Sequence, residues 1–148
     1  MTTPDDKAKA LGLQFAKPAD RPYLNLCVRV GNIFFTSGHV STLKGKLGQN
    51  VTVEDGNAAA REAMVKVLNS VWVENGGTLN GLRVVKLLGC VNATPDFNQC
   101  SDVINGASDL LHEIFGKEDL GYHARSALGF ATLPIGVAVE IEAIFEKL

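Results

Sequence analysis

Strict alternation of apolar and polar side chains near the end of the sequence predicts a strand with two unlike faces. Over residues 137–146 one face is apolar, whereas the other carries Glu140, Glu142 and Glu146. The segment before it is small and apolar apart from Arg125, and residues 133–136 form a turn. The stretch 122–146 is therefore predicted to be a hairpin of two strands that pair with each other.

Pairing in such a hairpin would place Arg125 on the same sheet face as Glu140 and Glu142. One guanidinium and two carboxylates on a face of otherwise small side chains indicate a ligand site. The alternative is a stripe of solvent-facing charges on an antiparallel sheet, and spacing alone leaves both interpretations open. His123 is expected to point to the face opposite Arg125 and to have a structural role.

The remaining pattern divides between periods of two and of 3.6 residues. Period-two or β-rich runs predict strands over 24–30, 33–37 and 81–93, the first two joined at Gly31-Asn32. Helical spacing and cap residues predict a short helix over 4–12, a long helix from Thr52 to Asn75, and a second helix that follows residues 94–97 and ends at Gly116. Residues 41–51 are rich in glycine and are expected to form a mobile loop.

The resulting order, β-β-α-β-α-β-β, predicts an α+β two-layer sandwich, with two helices on one face of a mostly antiparallel sheet. Its length of 148 residues fits a single domain over 1–148, in which 1–20 form an N-terminal extension. The third strand is apolar on both faces, through Val84, Leu88 and Cys90 on the second. Another copy of the sheet would cover that face in a homo-oligomer; a loop of the same chain is the alternative.

Composition narrows the class of protein. Apolar residues make up 46% and charged residues 20%, which indicates a packed core, and the net charge is −2 without a basic cluster. We therefore expect no nucleic-acid partner and, since no apolar run has the length of a span, no membrane contact. The three cysteines have no paired spacing, so we expect neither a disulfide framework nor a zinc site. A cytoplasmic location is expected for the same reason.

Several local strings together resemble the RidA family, also called the YjgF or L-PSP endoribonuclease family. They are GNIFFTSG at 31–38, ARS at 124–126, LP at 133–134 and VEIEAI at 139–144. The resemblance implies a chorismate-mutase-like fold and a homotrimer with clefts between subunits. It also implies a cofactor-free deaminase without a metal, which hydrolyses small 2-imino or 2-enamino acids to 2-keto acids and ammonia.

The resemblance assigns roles to individual residues. Arg125 matches the arginine that grips the substrate carboxylate, and Glu140 matches the glutamate that positions or activates water. The remaining pocket positions that it implies are Tyr23, Ser37, Gly38 and, in a looser alignment, Asn105.

The sequence departs from the family pattern at three other positions near these residues. Ala127 stands where the family commonly has a cysteine, Gly129 where a larger residue often follows, and His39 where a glutamine is usual. His39 is either a proton carrier in the cleft or a loop histidine. A trimer that binds a small carboxylate or a partner protein without turnover is the alternative function, and an endoribonuclease is the third.

Overall fold

Helices and strands lie close to the segments that their sequence patterns predict. The computed structural model describes residues 2–148, which form the following elements: α1 (Pro4–Ala10), β1 (Cys27–Val30), β2 (Ile33–Thr36), β3 (His39–Val40), α2 (Val53–Glu74), β4 (Leu82–Asn92), α3 (Cys100–Phe115), β5 (Ala124–Phe130) and β6 (Val139–Lys147). An irregular turn, Gly116–Leu120, and a single 3₁₀ turn, Pro134–Gly136, flank β5. The predicted α+β order is confirmed, with a short β3 added.

Cap residues explain where the helices begin and end. The hydroxyl of Thr52 accepts a hydrogen bond from the backbone N–H of Asp55, and Thr3 forms a capping box with Asp6. Helix α3 ends at Gly116, whose φ of 94° is a conformation that glycine adopts without strain. Of these signals, Thr52 and Gly116 were predicted from the sequence.

The sheet order is β1-β2-β6-β4-β5, with β3 also paired to β6. The predicted pairing between the two strands of the 122–146 hairpin is therefore wrong, because β4 lies between them. The end of β4 fills the gap: the N–H of Asn92 donates to the carbonyl of Ala138, and the N–H of Ala93 donates to that of Phe130. Strand β5 runs parallel to β4, and α3 provides the crossover that a parallel pair needs.

Helices α2 and α3 cover one face of this sheet. The buried face is apolar and includes Leu87, Val91, Ile141 and Phe145, none of which has measurable exposure. A β-bulge between Val84 and Lys86 shifts the alternation of β4. As a result Val84 is buried on the helix side, and not on the second face where the sequence placed it.

The second face of the sheet is open, and it is apolar at its centre. Cross-strand neighbours share a face, so the register places Val28, Phe35, Ile144, Leu88 and Leu128 on this side. Val28, Phe35 and Leu128 remain 46%, 44% and 50% exposed. We call this surface the open sheet face.

The loop over residues 41–51 is tied to the sheet along its length. Leu47 is buried and exchanges backbone hydrogen bonds with Asn92 and Thr94. The ammonium of Lys46 donates to the side chain of Asn92 and to the carbonyl of Ala131, both at 2.6 Å. These contacts fasten the loop to the end of β4 that separates β5 from β6.

Candidate functional site

Arg125 lies on the edge strand β5 and faces the helices. Its nitrogen Nη1 donates to Oδ1 of Asn105 at 2.8 Å and to Oγ of Ser108 at 3.2 Å. Asn105 and Ser108 are three residues apart on α3 and so share one side of that helix. Arg125 borders a hollow of about 300 Å³, here called the Arg125 hollow, whose other walls include Asn105, Ser108, Asp109, His112, Tyr122 and His123.

The guanidinium keeps part of its hydrogen-bonding capacity. Arginine has five N–H donors, and the two on Nη1 are directed at Asn105 and Ser108. Each ion pair within residues 2–148 involves another cation, namely Arg61, Lys66 or Arg83. Nε and Nη2 have no hydrogen-bond acceptor within residues 2–148, and the edge that they form is the one with which arginine can bind a carboxylate in bidentate fashion.

Glu140 lies on the other side of the sheet, contrary to the shared face predicted for it with Arg125. Arg125 pairs with Leu87, whose other neighbour is Ala143 on the helix side. Glu140 pairs with Cys90 and Glu142 with Leu88, both on the open sheet face. The prediction failed because it paired β5 with β6 directly; with β4 inserted, the register of both strands is set by β4.

The carboxylate of Glu140 is half-buried against the backbone of Gly38. A Cβ atom at Gly38 would come within 2.5 Å of Oε2 of Glu140, so a side chain at residue 38 would displace the carboxylate from its present position. Burial, and then the charge of Glu142, raise the pKa of Glu140 above that of an ordinary glutamate. Burial and the same two glutamates raise the pKa of the Cys90 thiol to about 11, so this cysteine is a neutral neighbour of the carboxylates.

His39 is directed into the helix layer and is 7% exposed. Its Nδ1 lies 2.7 Å from the carbonyl oxygen of Ser37, and its Nε2 lies 2.8 Å from Oγ of Ser70. Burial lowers the pKa of His39, which favours the neutral ring. With both nitrogens engaged inside the fold, His39 holds the segment that carries Ser37 and Gly38.

Tyr23, Ser37 and Ala127 complete the positions that the sequence proposed. Tyr23 precedes β1 and is 97% exposed. The hydroxyl of Ser37 donates to the carbonyl of Asn25 at 2.6 Å. Ala127 follows Arg125 by two residues on the helix side of β5 and is half-buried. Arg125, Asn105 and Ala127 thus share one side of the sheet, whereas Gly38 and Glu140 meet at the other.

Sequence analysis did not place two residues, His123 and Ser108, in the Arg125 hollow. His123 is on the same side as Arg125, because residues two apart in a strand share a face, and the opposite placement was wrong. Ser108 carried a signal in its position three residues after Asn105. Its hydroxyl oxygen lies 3.0 Å from Nε2 of His123.

The helices of residues 2–148 are either too short or too polar to cross a lipid bilayer.

The core contact of Ala8 and the hydrogen bonds of Asp5 with Leu79 and Asn80 fix α1 to the domain.

Comparison with known proteins identifies the family. The family model described as Endoribonuclease L-PSP matches residues 15–147. Protein TCP17 of Trypanosoma cruzi is 45% identical over 104 residues, which are 70% of this chain and 64% of that protein. The chain therefore aligns with less than two thirds of this relative.

Solved structures share the whole fold. A protein of unknown function from Agrobacterium tumefaciens is 33% identical and superposes with a TM-score of 0.87, covering 98% of this chain and 92% of its own. E. coli TdcF with bound serine is 25% identical, with a TM-score of 0.58 and coverage of 90% and 94%. The chain thus has the chorismate-mutase-like fold that its motifs implied, and it belongs to the endoribonuclease L-PSP family, also known as the RidA family.

Proposed function

We propose that this protein is a deaminase that hydrolyses small 2-imino or 2-enamino acids to 2-keto acids and ammonia. The observation that carries the proposal is the guanidinium of Arg125, held by Asn105 and Ser108 at the wall of a hollow without an acid partner among residues 2–148. Support comes from E. coli TdcF, whose crystal structure contains serine, a small molecule with a carboxylate of the required kind.

The substrate carboxylate would bind side-on to the Nε and Nη2 atoms of Arg125. A bidentate pair fixes both the position and the plane of the carboxylate. Because an imino acid carries its reacting carbon next to the carboxylate, this contact also fixes the carbon that water must attack. On the same side of β5, Ala127 packs against the core and Gly129 lies beside Cys100 and Ala93, so the substrate would occupy the hollow at the Arg125 end of the strand.

The second half of the site would come from a neighbouring copy. Within one chain Arg125 and Glu140 are on opposite sides of the sheet, so they cannot act together on one small molecule. A homotrimer in which the open sheet face of one subunit approaches strand β5 of the next would unite them. The exposed apolar residues Val28, Phe35 and Leu128 support such an assembly, since water contact with them is unfavourable.

Glu140 would act as the general base. Its carboxylate takes a proton from water as the water oxygen bonds to the imine carbon and the C=N electron pair moves to nitrogen, and Glu140 then gives this proton to the nitrogen. The hydroxyl group of the resulting carbinolamine passes its proton through the same carboxylate to the nitrogen, so that the C–N bond breaks, ammonia leaves and the 2-keto acid remains. A raised pKa suits Glu140 to this work, because a base is most effective when its pKa approaches the working pH.

Assembly and turnover are tested on one preparation. Light scattering is expected to give three times the chain mass of 15.8 kDa, and the same sample is expected to accelerate the decay of 2-iminobutanoate generated in situ. Ammonia release is followed against a protein-free control. Decay at the protein-free rate would exclude this activity, and a monomer would exclude the composite site.

A carboxylate-binding trimer without turnover is the second candidate. It is favoured by the separation of Glu140 from Arg125 within the chain, because binding requires the guanidinium alone. Both functions predict binding of 2-ketobutyrate in a calorimeter, so ammonia release from 2-iminobutanoate, which only the deaminase predicts, separates them.

The fall of kcat/KM at low pH, which is the acid limb of its pH profile, is expected to depend on Glu142. Since Glu140 must be ionised to accept a proton, kcat/KM should fall as the pH falls through the pKa of Glu140. Glu142→Gln removes a like charge that raises this pKa, so the limb should move to lower pH. Glu146→Gln, on the same strand but paired with Arg83, is the control and should leave the limb in place. An unchanged limb in Glu142→Gln would show that another group controls it.

A further inference from the structure

Arg125 is held by a serine that is itself held by a histidine. Oγ of Ser108 lies 3.2 Å from Nη1 of Arg125 and 3.0 Å from Nε2 of His123, while Nδ1 of His123 lies 2.7 Å from the carbonyl oxygen of Gly121. Ser108 is 6% exposed, so bulk water offers little competition for its hydroxyl. These contacts form a continuous chain from the backbone of Gly121 to the guanidinium.

The direction of each hydrogen bond follows from chemistry. A carbonyl oxygen can only accept, so Nδ1 of His123 carries the hydrogen that is donated to Gly121. In the neutral ring Nε2 is then an acceptor, and the hydroxyl of Ser108 donates to it. This leaves the lone pairs of the Ser108 oxygen to receive the N–H of Arg125, which can only donate.

The surroundings of His123 favour the neutral ring that this direction requires. Burial lowers the pKa of His123, and the nearby His112 and Arg125 lower it further. The ring of His112 lies 5.4 Å from that of His123. Asp109 and Lys117 are the other charged groups that line the Arg125 hollow.

We propose that Ser108 and His123 are positioning residues that orient the guanidinium of Arg125 for carboxylate binding. This role rests on the proposed function of Arg125 and adds to it the reason that the Nε and Nη2 edge is presented to the ligand. Asn105 fixes one hydrogen of Nη1, and Ser108 fixes the other. With both fixed, the plane of the guanidinium is set before a ligand arrives, which lowers the entropy cost of binding.

A second Ser–His pair in the same fold supplies a matched control. Ser70 and His39 repeat the arrangement on α2, with Nδ1 on the carbonyl two residues before the histidine and Nε2 on a buried serine. No arginine contacts Ser70 among the described hydrogen bonds. Ser70→Ala therefore removes the same kind of buried bond as Ser108→Ala without touching the guanidinium.

The experiment compares Ser108→Ala, His123→Ala, His123→Gln and Ser70→Ala with the wild type. Calorimetry with 2-ketobutyrate gives Kd, steady-state assays give KM and kcat, and nitrogen NMR of the ligand-free protein gives the rate of rotation of the Arg125 side chain about its Nε–Cζ bond. We expect Ser108→Ala and His123→Ala to raise Kd and KM by about tenfold with kcat nearly unchanged, and to speed the rotation. His123→Gln should stay near the wild type, because its amide oxygen can accept from Ser108. Ser70→Ala should leave Kd and the rotation rate of Arg125 near those of the wild type.

Each outcome separates this role from the function on which it rests. Unchanged Kd and rotation in Ser108→Ala would overturn the positioning role while leaving the Arg125 site intact. A tenfold rise in Kd in Ser70→Ala as well would show that loss of any such buried hydrogen bond weakens binding. That result would also overturn the positioning role of Ser108 and His123. If the wild type does not bind 2-ketobutyrate, the proposed function fails, and the rotation rates alone then decide whether Ser108 and His123 hold the guanidinium.

Discussion

Replacing Arg125 with alanine is expected to remove nearly all activity on 2-iminobutanoate. Truncating one partner of a hydrogen-bonded charge pair that is shielded from water costs about 2–5 kcal/mol, equivalent to a loss of roughly 30-fold to several thousand-fold in kcat/KM. The loss should be at the high end if the carboxylate contact also orients the reacting carbon, because misplacement of a substrate slows the chemical step.

Arg125→Lys should recover only a small part of the lost activity. Lysine keeps the charge but presents a single ammonium instead of a planar pair of donors, and it cannot reach both Asn105 and Ser108 in the same geometry. The matched control is Arg61→Ala, because Arg61 is also a partly exposed arginine but pairs with Glu113 on the helix surface. Initial rates, with thermal unfolding as a check of the fold, provide the measurement. Retention of activity within about threefold in Arg125→Ala would contradict the assignment of Arg125 to the substrate carboxylate.

Replacing Gly106 with alanine is expected to destabilise the protein, although alanine is the better helix former. Helices α2 and α3 cross at this point so closely that a Cβ atom at Gly106 would overlap the backbone carbonyl oxygen of Asn57. Overpacking of this kind typically costs about 1–3 kcal/mol and occasionally more, whereas the gain in helix propensity is about 1 kcal/mol. Backbone atoms cannot rotate out of the way, so the cost should reach the top of that range, and we expect a net loss of about 2 kcal/mol.

Denaturant unfolding at one fixed protein concentration measures the effect of Gly106→Ala, since the stability of an oligomer depends on concentration. In a thermal scan of the same sample, the loss should appear as a fall in Tm of about 2–4 °C for each kcal/mol. Asp109→Ala, three residues later at an exposed position of α3, is the control and should change stability by less than about 0.5 kcal/mol. Equal or greater stability of Gly106→Ala would show that the helices can separate at this crossing without cost.

Local signals in the sequence predicted the elements well. Thr52 as a helix cap, Gly116 as a helix stop and the Gly31-Asn32 turn each act through contacts within a few residues, which is why a single sequence reveals them. The family strings identified Arg125 and Glu140 as candidates for the same reason, because each motif is a short run of residues.

Strand pairing was the part that local patterns could not determine. The run around Arg125 and the run around Glu140 are neighbours in sequence, and a short turn between them suggested a hairpin. The choice of β4 as the common partner depends on long-range burial: β4 has eleven residues and pairs on both edges. A strand, a helix and a further strand in succession do carry a signal for parallel pairing, and giving that signal more weight would have placed Arg125 on the helix side.

The position of β6 between β2 and β4 has a consequence for the order of folding. Until β6 is in place, β2 and β4 are separated by the width of a missing strand, about 9–10 Å, and neither can bond to the other. The segments made earlier during synthesis on the ribosome can therefore form a hairpin and a βαβ unit, but not a closed sheet. Completion of the sheet waits for the emergence of β6 from the ribosome, so the apolar surfaces of a nascent chain stay exposed to chaperones until then.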